Sequence, residues 1–147
     1  MGEFAIELFE DRAPRTTQNF LELVEKGFYD GVTFHRVVAR ALIQTGDPTG
    51  TGKGGPGYTI QDEIHPALKH RGEGVVSMAN AGPDTGGSQF FITLDTMSSL
   101  DGEHTVWARV VQGMDVVRTI SQVRVNAFDR PLQRVSIEKI RIDKHES

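Results

Sequence analysis

Three stretches of this sequence invite a chemical reading and then fail it. In the glycine-rich run 46–57, Gly52-Lys53 suggests a loop that cradles phosphates with its backbone N–H groups. Asp47, however, stands where that motif requires its first glycine, and Gly54 where it requires Ser or Thr, so a tight loop needing positive φ is the simpler reading. Gly86-Gly87-Ser88-Gln89-Phe90 approaches the G-x-S-x-G turn of a nucleophilic serine, but Phe90 replaces the closing glycine. Asp62, Glu63, His65 and His70 are metal-ligating types without H-E-x-x-H or other patterned spacing, and Pro66 breaks any shared helical face. The chain has no cysteine, hence no thiolate nucleophile, thiolate metal site or disulfide framework. What remains is Arg36, within Phe34-His35-Arg36-Val37-Val38. A guanidinium stays charged and offers several donors in a planar fork. A lone arginine on a strand is usually a solvated charge, so its meaning depends on what is placed around it.

The elements that must do the placing are mostly short strands. Phe4, Ile6 and Leu8 alternate with Glu3, Ala5 and Glu7, which predicts a half-buried first strand. Pro14 suits a first helical turn, Phe20, Leu23 and Val24 share a helical face, and Gly27 supplies the stop, predicting a helix of about four turns. Beyond Tyr29-Asp30-Gly31 come β-prone runs at 32–38, 42–45, 75–78, 90–94 and 106–111, separated by Gly- and Pro-rich stretches. That pattern indicates an all-β sandwich or barrel rather than βαβ units. Met114, Val117 and Ile120 predict a second, shorter helix. Val135 and Ile137 alternate, but the phase slips before Ile140 and Ile142, predicting a β-bulge near Glu138 and Lys139. Trp107, among aliphatic neighbours, is expected in the core.

Length and composition bound the function. At 147 residues a single domain over 1–147 is expected, and 37% hydrophobic with 24% charged residues suffices for folding without a partner. A net charge of -4 with no Lys/Arg run argues against a direct nucleic-acid partner, which needs a clustered basic surface. The first residues read as a strand, not as a signal or a membrane span, so no membrane partner is expected. A cytoplasmic home, with a nuclear one as the alternative, and a monomeric state are the expectations.

Several segments are hard to explain as structural filler. Phe34-His35-Arg36-Val37-Val38 is followed by Ile43-Gln44-Thr45-Gly46-Asp47, then by Ser77-Met78-Ala79-Asn80-Ala81-Gly82-Pro83 leading into Gly87-Ser88-Gln89-Phe90-Phe91-Ile92, and finally by Leu100-Asp101-Gly102-Glu103-His104. In this order and spacing they resemble the cyclophilin family, from Gly2 almost to Lys144. The resemblance implies a mainly β fold, a closed eight-stranded antiparallel β-barrel capped by two α-helices, with peptidyl-prolyl cis/trans isomerase activity in a groove on its outer face. By the same resemblance Arg36, Gln44 and Gln89 are the catalytic group, while Phe91, Leu42 and Leu100 line a pocket for the substrate proline ring. Asn80 and Gln44 bind the peptide backbone, Ala79 leaves room for the chain and His104 borders the pocket. Proline-containing peptides and proteins are the implied partners, and neither a metal nor a cofactor is required.

The implied chemistry is economical. Rotation about an amide costs roughly 18 to 20 kcal/mol because the nitrogen lone pair is delocalised, and free X-Pro bonds isomerise over tens of seconds or more. At the twisted transition state that lone pair localises on the prolyl nitrogen, where a fixed guanidinium donates a hydrogen bond with little counterpart in the planar ground state. Neutral amides such as Gln44 and Gln89 orient Arg36 without neutralising it.

The sequence departs from the family at the pocket. Ala39-Arg40-Ala41 replaces the usual Pro-x-Phe, which takes an aromatic wall from the site; such a ring is worth about 1 to 3 kcal/mol of burial when fully packed. Ser99 stands where a tryptophan or histidine is usual, implying poor affinity for cyclosporin-type ligands. Trp107-Ala108 replaces Phe-Gly, which raises the expectation that the indole repacks into the space left at Ala41. Ala41 and Ser99 support an alternative in which the chain is a proline-peptide binding module or assembly component with weak or no turnover. The family pattern also extends several residues ahead of Met1, so the first strand is expected to be entered midway.

Overall fold

A computed structural model describes residues 1–143. In chain order the elements are β1 (Ala5–Leu8), α1 (Pro14–Glu25), β2 (Arg36–Val38), β3 (Leu42–Thr45), β4 (Val75–Met78), β5 (Phe90–Thr93), a 3-10 turn (Ser98–Leu100), β6 (Val106–Gln112) and α2 (Met114–Ser121). The strands form one antiparallel sheet in the order β1-β6-β4-β5-β3-β2.

Register explains which face is core. Side chains of directly opposed residues share a face of the sheet, and neighbours along a strand alternate. The row Val37–Ile43–Ile92–Val76–Ala108 crosses five strands in register, and each member is at most 1% exposed. Phe20 and Leu23 of α1 and Val117 and Ile120 of α2 join it in one hydrophobic cluster. Tyr29, Phe90 and Trp107 gather around Phe20, with ring centroids 4.7 to 5.8 Å away. Truncating a fully buried member such as Ile92 to alanine would cost about 2 to 5 kcal/mol in lost burial and cavity.

The start of α1 is capped from a distance. Its first turn carries no acidic residue and no side-chain cap of its own. Glu63 instead accepts from the backbone N–H of Thr16 at 2.6 Å, from Thr16 Oγ1 at 2.7 Å and from the backbone N–H of Arg15 at 3.2 Å. A carboxylate there satisfies orphan donors and complements the positive end of the helix dipole.

Sequence and structure differ at three places. The predicted strand 32–38 is regular only from Arg36, because residues 31–34 turn their bonds to the C-terminal run: Gly31 N–H to Ile137 O at 2.7 Å, Ile137 N–H to Val32 O at 2.8 Å and Phe34 N–H to Val135 O at 2.9 Å. The expected closed eight-stranded barrel is not one continuous ladder: the Thr33–Ser136 pairing is an isolated bridge, and the sheet among the described residues comprises six strands and is not closed. No ladder runs through Glu138 and Lys139, and hence no bulge; the register slips lie between Ala5 and Ile6 and between Val76 and Ser77, where long β6 is opposed by shorter strands.

Candidate active site

The row beside the core row, on the opposite face, is Arg36–Gln44–Phe91–Ser77, each residue the register partner of the next. Four strands therefore set these side chains side by side without any loop deciding the order. Arg36 is exposed, Gln44 half-buried and Phe91 buried, so the row grades from water into the sheet.

The polar end is a continuous chain of hydrogen bonds. Arg36 Nη1 donates to Gln44 Oε1 at 3.3 Å, Gln44 Nε2 donates to Gln89 Oε1 at 3.0 Å, and Gln89 Nε2 donates to Gly52 O at 3.0 Å and Gly54 O at 2.9 Å. Gln89 thus ties the arginine to the glycine-rich loop. Among the described residues Arg36 makes no salt bridge, so its charge and most of its donor fork remain open to a ligand.

Asp47 organises that loop from within. It is fully buried; Oδ1 accepts from Thr49 N and Oγ1 at 2.8 and 2.7 Å, and Oδ2 from Gly52 N at 2.6 Å and Gly54 N at 3.0 Å. Burial favours the protonated acid, but the bonds from Thr49, Gly54 and Gly52 outweigh it and hold the carboxyl down at about 2. Gly46 is required beside it: at φ +98° its missing Cβ would lie 2.2 Å from Ser88 O. Arg130 clamps the same loop by donating to Gly50 O at 2.6 Å and Thr51 O at 2.5 Å. His35 is buried against the loop with both ring nitrogens unpartnered among the described residues; burial holds it below the usual imidazole range, and the nearby Asp47 charge pulls the other way.

The apolar end is built from Phe91, Leu42 and the 98–104 loop. Phe91 and Leu42 are 3% and 5% exposed and stand outside the main core cluster, as groove-face residues should. His104 stands edge-on to Phe91, with centroids 5.6 Å apart and planes at 80°, and its Nδ1 lies 2.9 Å from Met78 O. Leu100, in the 3-10 turn, is half-buried, whereas its neighbour Ser99 is exposed and its hydroxyl bonds to no described residue. Asn80 donates through Nδ2 to Glu103 O at 2.9 Å and accepts at Oδ1 from Gly82 N at 3.2 Å. Its side chain is therefore engaged within the protein, while its main-chain N–H and C=O bond to no described residue. Ala79 donates its backbone N–H to Gln89 O at 3.0 Å.

Ala41 lies in the β2–β3 turn after Arg40, whose φ is +65°; its N–H donates to Val38 O at 3.0 Å and its carbonyl accepts from Leu94 N at 2.7 Å. The expected repacking of Trp107 towards Ala41 does not occur. The indole is fully buried against Phe20 and Phe90, on the core side of β5 and away from Phe91. Its bulk is taken up by the core, so Ala41 has no aromatic substitute from that direction. Asp47, Arg130 and the His70–Asp101 pair were not singled out by type or spacing as site supports; the G-D of Gly46-Asp47 beside Gln44 is the one local sign of a buried loop organiser.

The fold and this row together define a cyclophilin-type enzyme: the family model for "Cyclophilin type peptidyl-prolyl cis-trans isomerase/CLD" matches residues 1–142, and the chain belongs to that family. Among curated relatives it is 50% identical over 145 residues to peptidyl-prolyl cis-trans isomerase-like 1 of Aspergillus fumigatus, covering 97% of this chain and 90% of the relative. It is likewise 50% identical over 145 residues to peptidyl-prolyl cis-trans isomerase CYP18-2 of Arabidopsis thaliana, covering 97% and 88%. Among solved structures, a cyclophilin type isomerase of Cryptosporidium parvum superposes with a TM-score of 0.95 at 36% identity over 99% of this chain and 93% of that one. A second structure of that protein, obtained in the presence of the dipeptide Ala-Pro, gives 0.94 at 37% identity, covering 98% and 94%.

Proposed function

We propose that the chain accelerates rotation about X-Pro bonds of peptides laid across β3, β5 and the 79–80 segment, with Arg36 as the catalytic donor. The observation that carries this is the hydrogen-bonded run Arg36–Gln44–Gln89–glycine loop, set in register beside Phe91. Phe91, Leu42 and Leu100 hold the proline ring by burial, His104 borders it, and the free main-chain groups of Asn80 pair with the substrate backbone beside Ala79. The ring is thereby fixed while the preceding carbonyl turns. Arg36 then donates to the pyramidalising prolyl nitrogen, an interaction available only once the amide has twisted. No proton moves and no bond breaks.

The binding-only alternative rested on Ala41 and Ser99. Ala41 lies in the β2–β3 turn and Ser99 in the exposed 3-10 turn, whereas the donor and the two amides that aim it are hydrogen-bonded in line, which favours turnover. The test is cis/trans exchange on an Ala-Pro peptide, followed by NMR line shape, for the wild type and Arg36→Ala. Removing one preorganised donor typically costs about 10² to 10³ in rate, and a loss of that order is expected. A wild-type rate no faster than buffer, or an Arg36→Ala rate equal to wild type, overturns the assignment.

A further inference from the structure

Beneath Phe91 lies a buried polar cluster that the chemistry above does not use. His70 is 1% exposed. Its Nδ1 is 2.8 Å from Asp101 Oδ1 and its Nε2 is 2.8 Å from Ser77 Oγ, and its backbone N–H donates to the same Asp101 oxygen at 2.7 Å. The residue types are those of a hydrolase triad, but Ser77 is fully buried and its Oγ also lies 3.1 Å from Thr105 O, so no acyl group reaches it.

Hydrogen-bond accounting places one ring proton. The backbone and ring N–H groups of His70 hold the Asp101 carboxyl below the usual range, so it is an acceptor and Nδ1 carries a hydrogen. Burial, opposed by Asp101, holds His70 below the usual imidazole range, and its Nε2 pairs with the Ser77 hydroxyl, which also reaches Thr105 O. Thr105 O keeps the backbone N–H of Met78 at 2.9 Å, so no group in the cluster is left unsatisfied.

The cluster joins the two halves of the apolar pocket. The imidazole of His70 lies nearly parallel to Phe91, 16° between planes and 6.0 Å between centroids, within stacking range. His104 stands edge-on to both rings. Asp101 directly follows Leu100, and Ser77 is the register partner of Phe91. The bonds of His70 therefore fasten the loop carrying Leu100 and His104 to the strands carrying Phe91.

We propose that His70 is a positioning residue for the proline pocket: clamped between Asp101 and Ser77, it backs the Phe91 ring and sets the spacing between that ring and the Leu100–His104 loop. The proposal rests on the reading of this groove as the X-Pro site. It predicts that loosening the clamp weakens substrate binding while leaving the step at Arg36 intact.

The experiment compares wild type, Asp101→Asn and His70→Phe on the Ala-Pro peptide. Asp101 is partly solvent-facing and Asn keeps its shape, while Phe keeps a stacked ring without the bonds. In both, KM should rise about two- to tenfold, the fold-change equivalent of one ordinary hydrogen bond, with kcat nearly unchanged. The ring-proton resonances of Phe91 should move while those of Phe20, in the core, stay. Folded variants with wild-type KM and unmoved Phe91 resonances, or with a lower Tm as their only change, overturn the proposal. In the wild-type protein, the Phe91 resonances should also follow titration of His70, which faces Asp101, His104 and Ser77, with Lys69 beside Asp101. Phe91 resonances that ignore that titration overturn the proposal without any variant. An inactive wild type would instead refute the reading of the groove itself.

Discussion

Asp47 offers the sharpest test of how the glycine loop supports the arginine. Its carboxyl sits at about 2 when folded, against 3.8 for an unperturbed aspartate. At about 1.36 kcal/mol per tenfold, that difference makes the ionised form worth about 2 kcal/mol of folding stability. The folded-state value is depressed, so the contribution is complete above roughly pH 4 and disappears as the pH falls towards 2. Asp47→Asn removes it at neutral pH by a different route. An amide cannot accept on both sides, so the N–H groups of either Gly52 and Gly54 or Thr49 lose their partner. Urea denaturation followed through the fluorescence of Trp107, the single tryptophan, at a series of pH values reads both effects. The variant should be about 2 kcal/mol less stable than wild type at pH 7, and the gap should narrow steadily below pH 4. Isomerase activity should fall with it, because Gly52 and Gly54 present the carbonyls that hold Gln89. A stability gap that stays constant from pH 7 to pH 2 would refute the argument.

Two further substitutions probe the same neighbourhood. Gly46→Ala places a Cβ 2.2 Å from Ser88 O in a left-handed backbone and should lower Tm sharply, whereas Gly55→Ala, in open space within the same loop, should change stability by less than about 0.5 kcal/mol; equal effects by thermal melting would contradict the packing reading. Ala41→Phe restores an aromatic at the pocket edge and should lower KM for X-Pro peptides by about tenfold if the ring packs fully; an unchanged KM with wild-type Tm would show that position 41 does not wall the site.

What the sequence disclosed, and what it did not, divides by range. β-Prone runs bounded by Gly- and Pro-rich stretches marked β3, β4, β5 and β6, and helical spacing marked both helices, because each pattern reports residues that the core buries. The strand beginning at Val32 was misjudged in extent because its β-prone residues pair with Val135 and Ile137, a hundred positions away, and nothing local records that. The bulge expected at Glu138 and Lys139 failed for the same reason: a phase slip signals a bulge only inside a ladder. In the site, Arg36, Gln44, Gln89 and Phe91 were named together from the family resemblance, and the register sets three of them in one row across β2, β3 and β5. Asp47 and His70 were not, because a buried carboxylate and a buried imidazole are recognisable by their partners rather than by their neighbours in sequence. His70 was weighed only as a poor metal ligand, and Glu63 from the same group turned out to cap a helix.

The edge position of β2 also has a consequence for how the enzyme comes into being. Its inner side is paired with β3, but on its outer side Val37 N–H donates to Asp129 O at 2.8 Å, and the preceding Phe34 to Val135 O. A chain synthesised from its N-terminus exposes Arg36 long before those acceptors exist. The edge that carries Arg36 is therefore completed only once residues 129–135 have been translated, and a nascent chain lacking them has its arginine on a strand secured from one side only. The arginine's strand is thus made long before its outer partner, and its final fastening waits for a distant segment of the same chain.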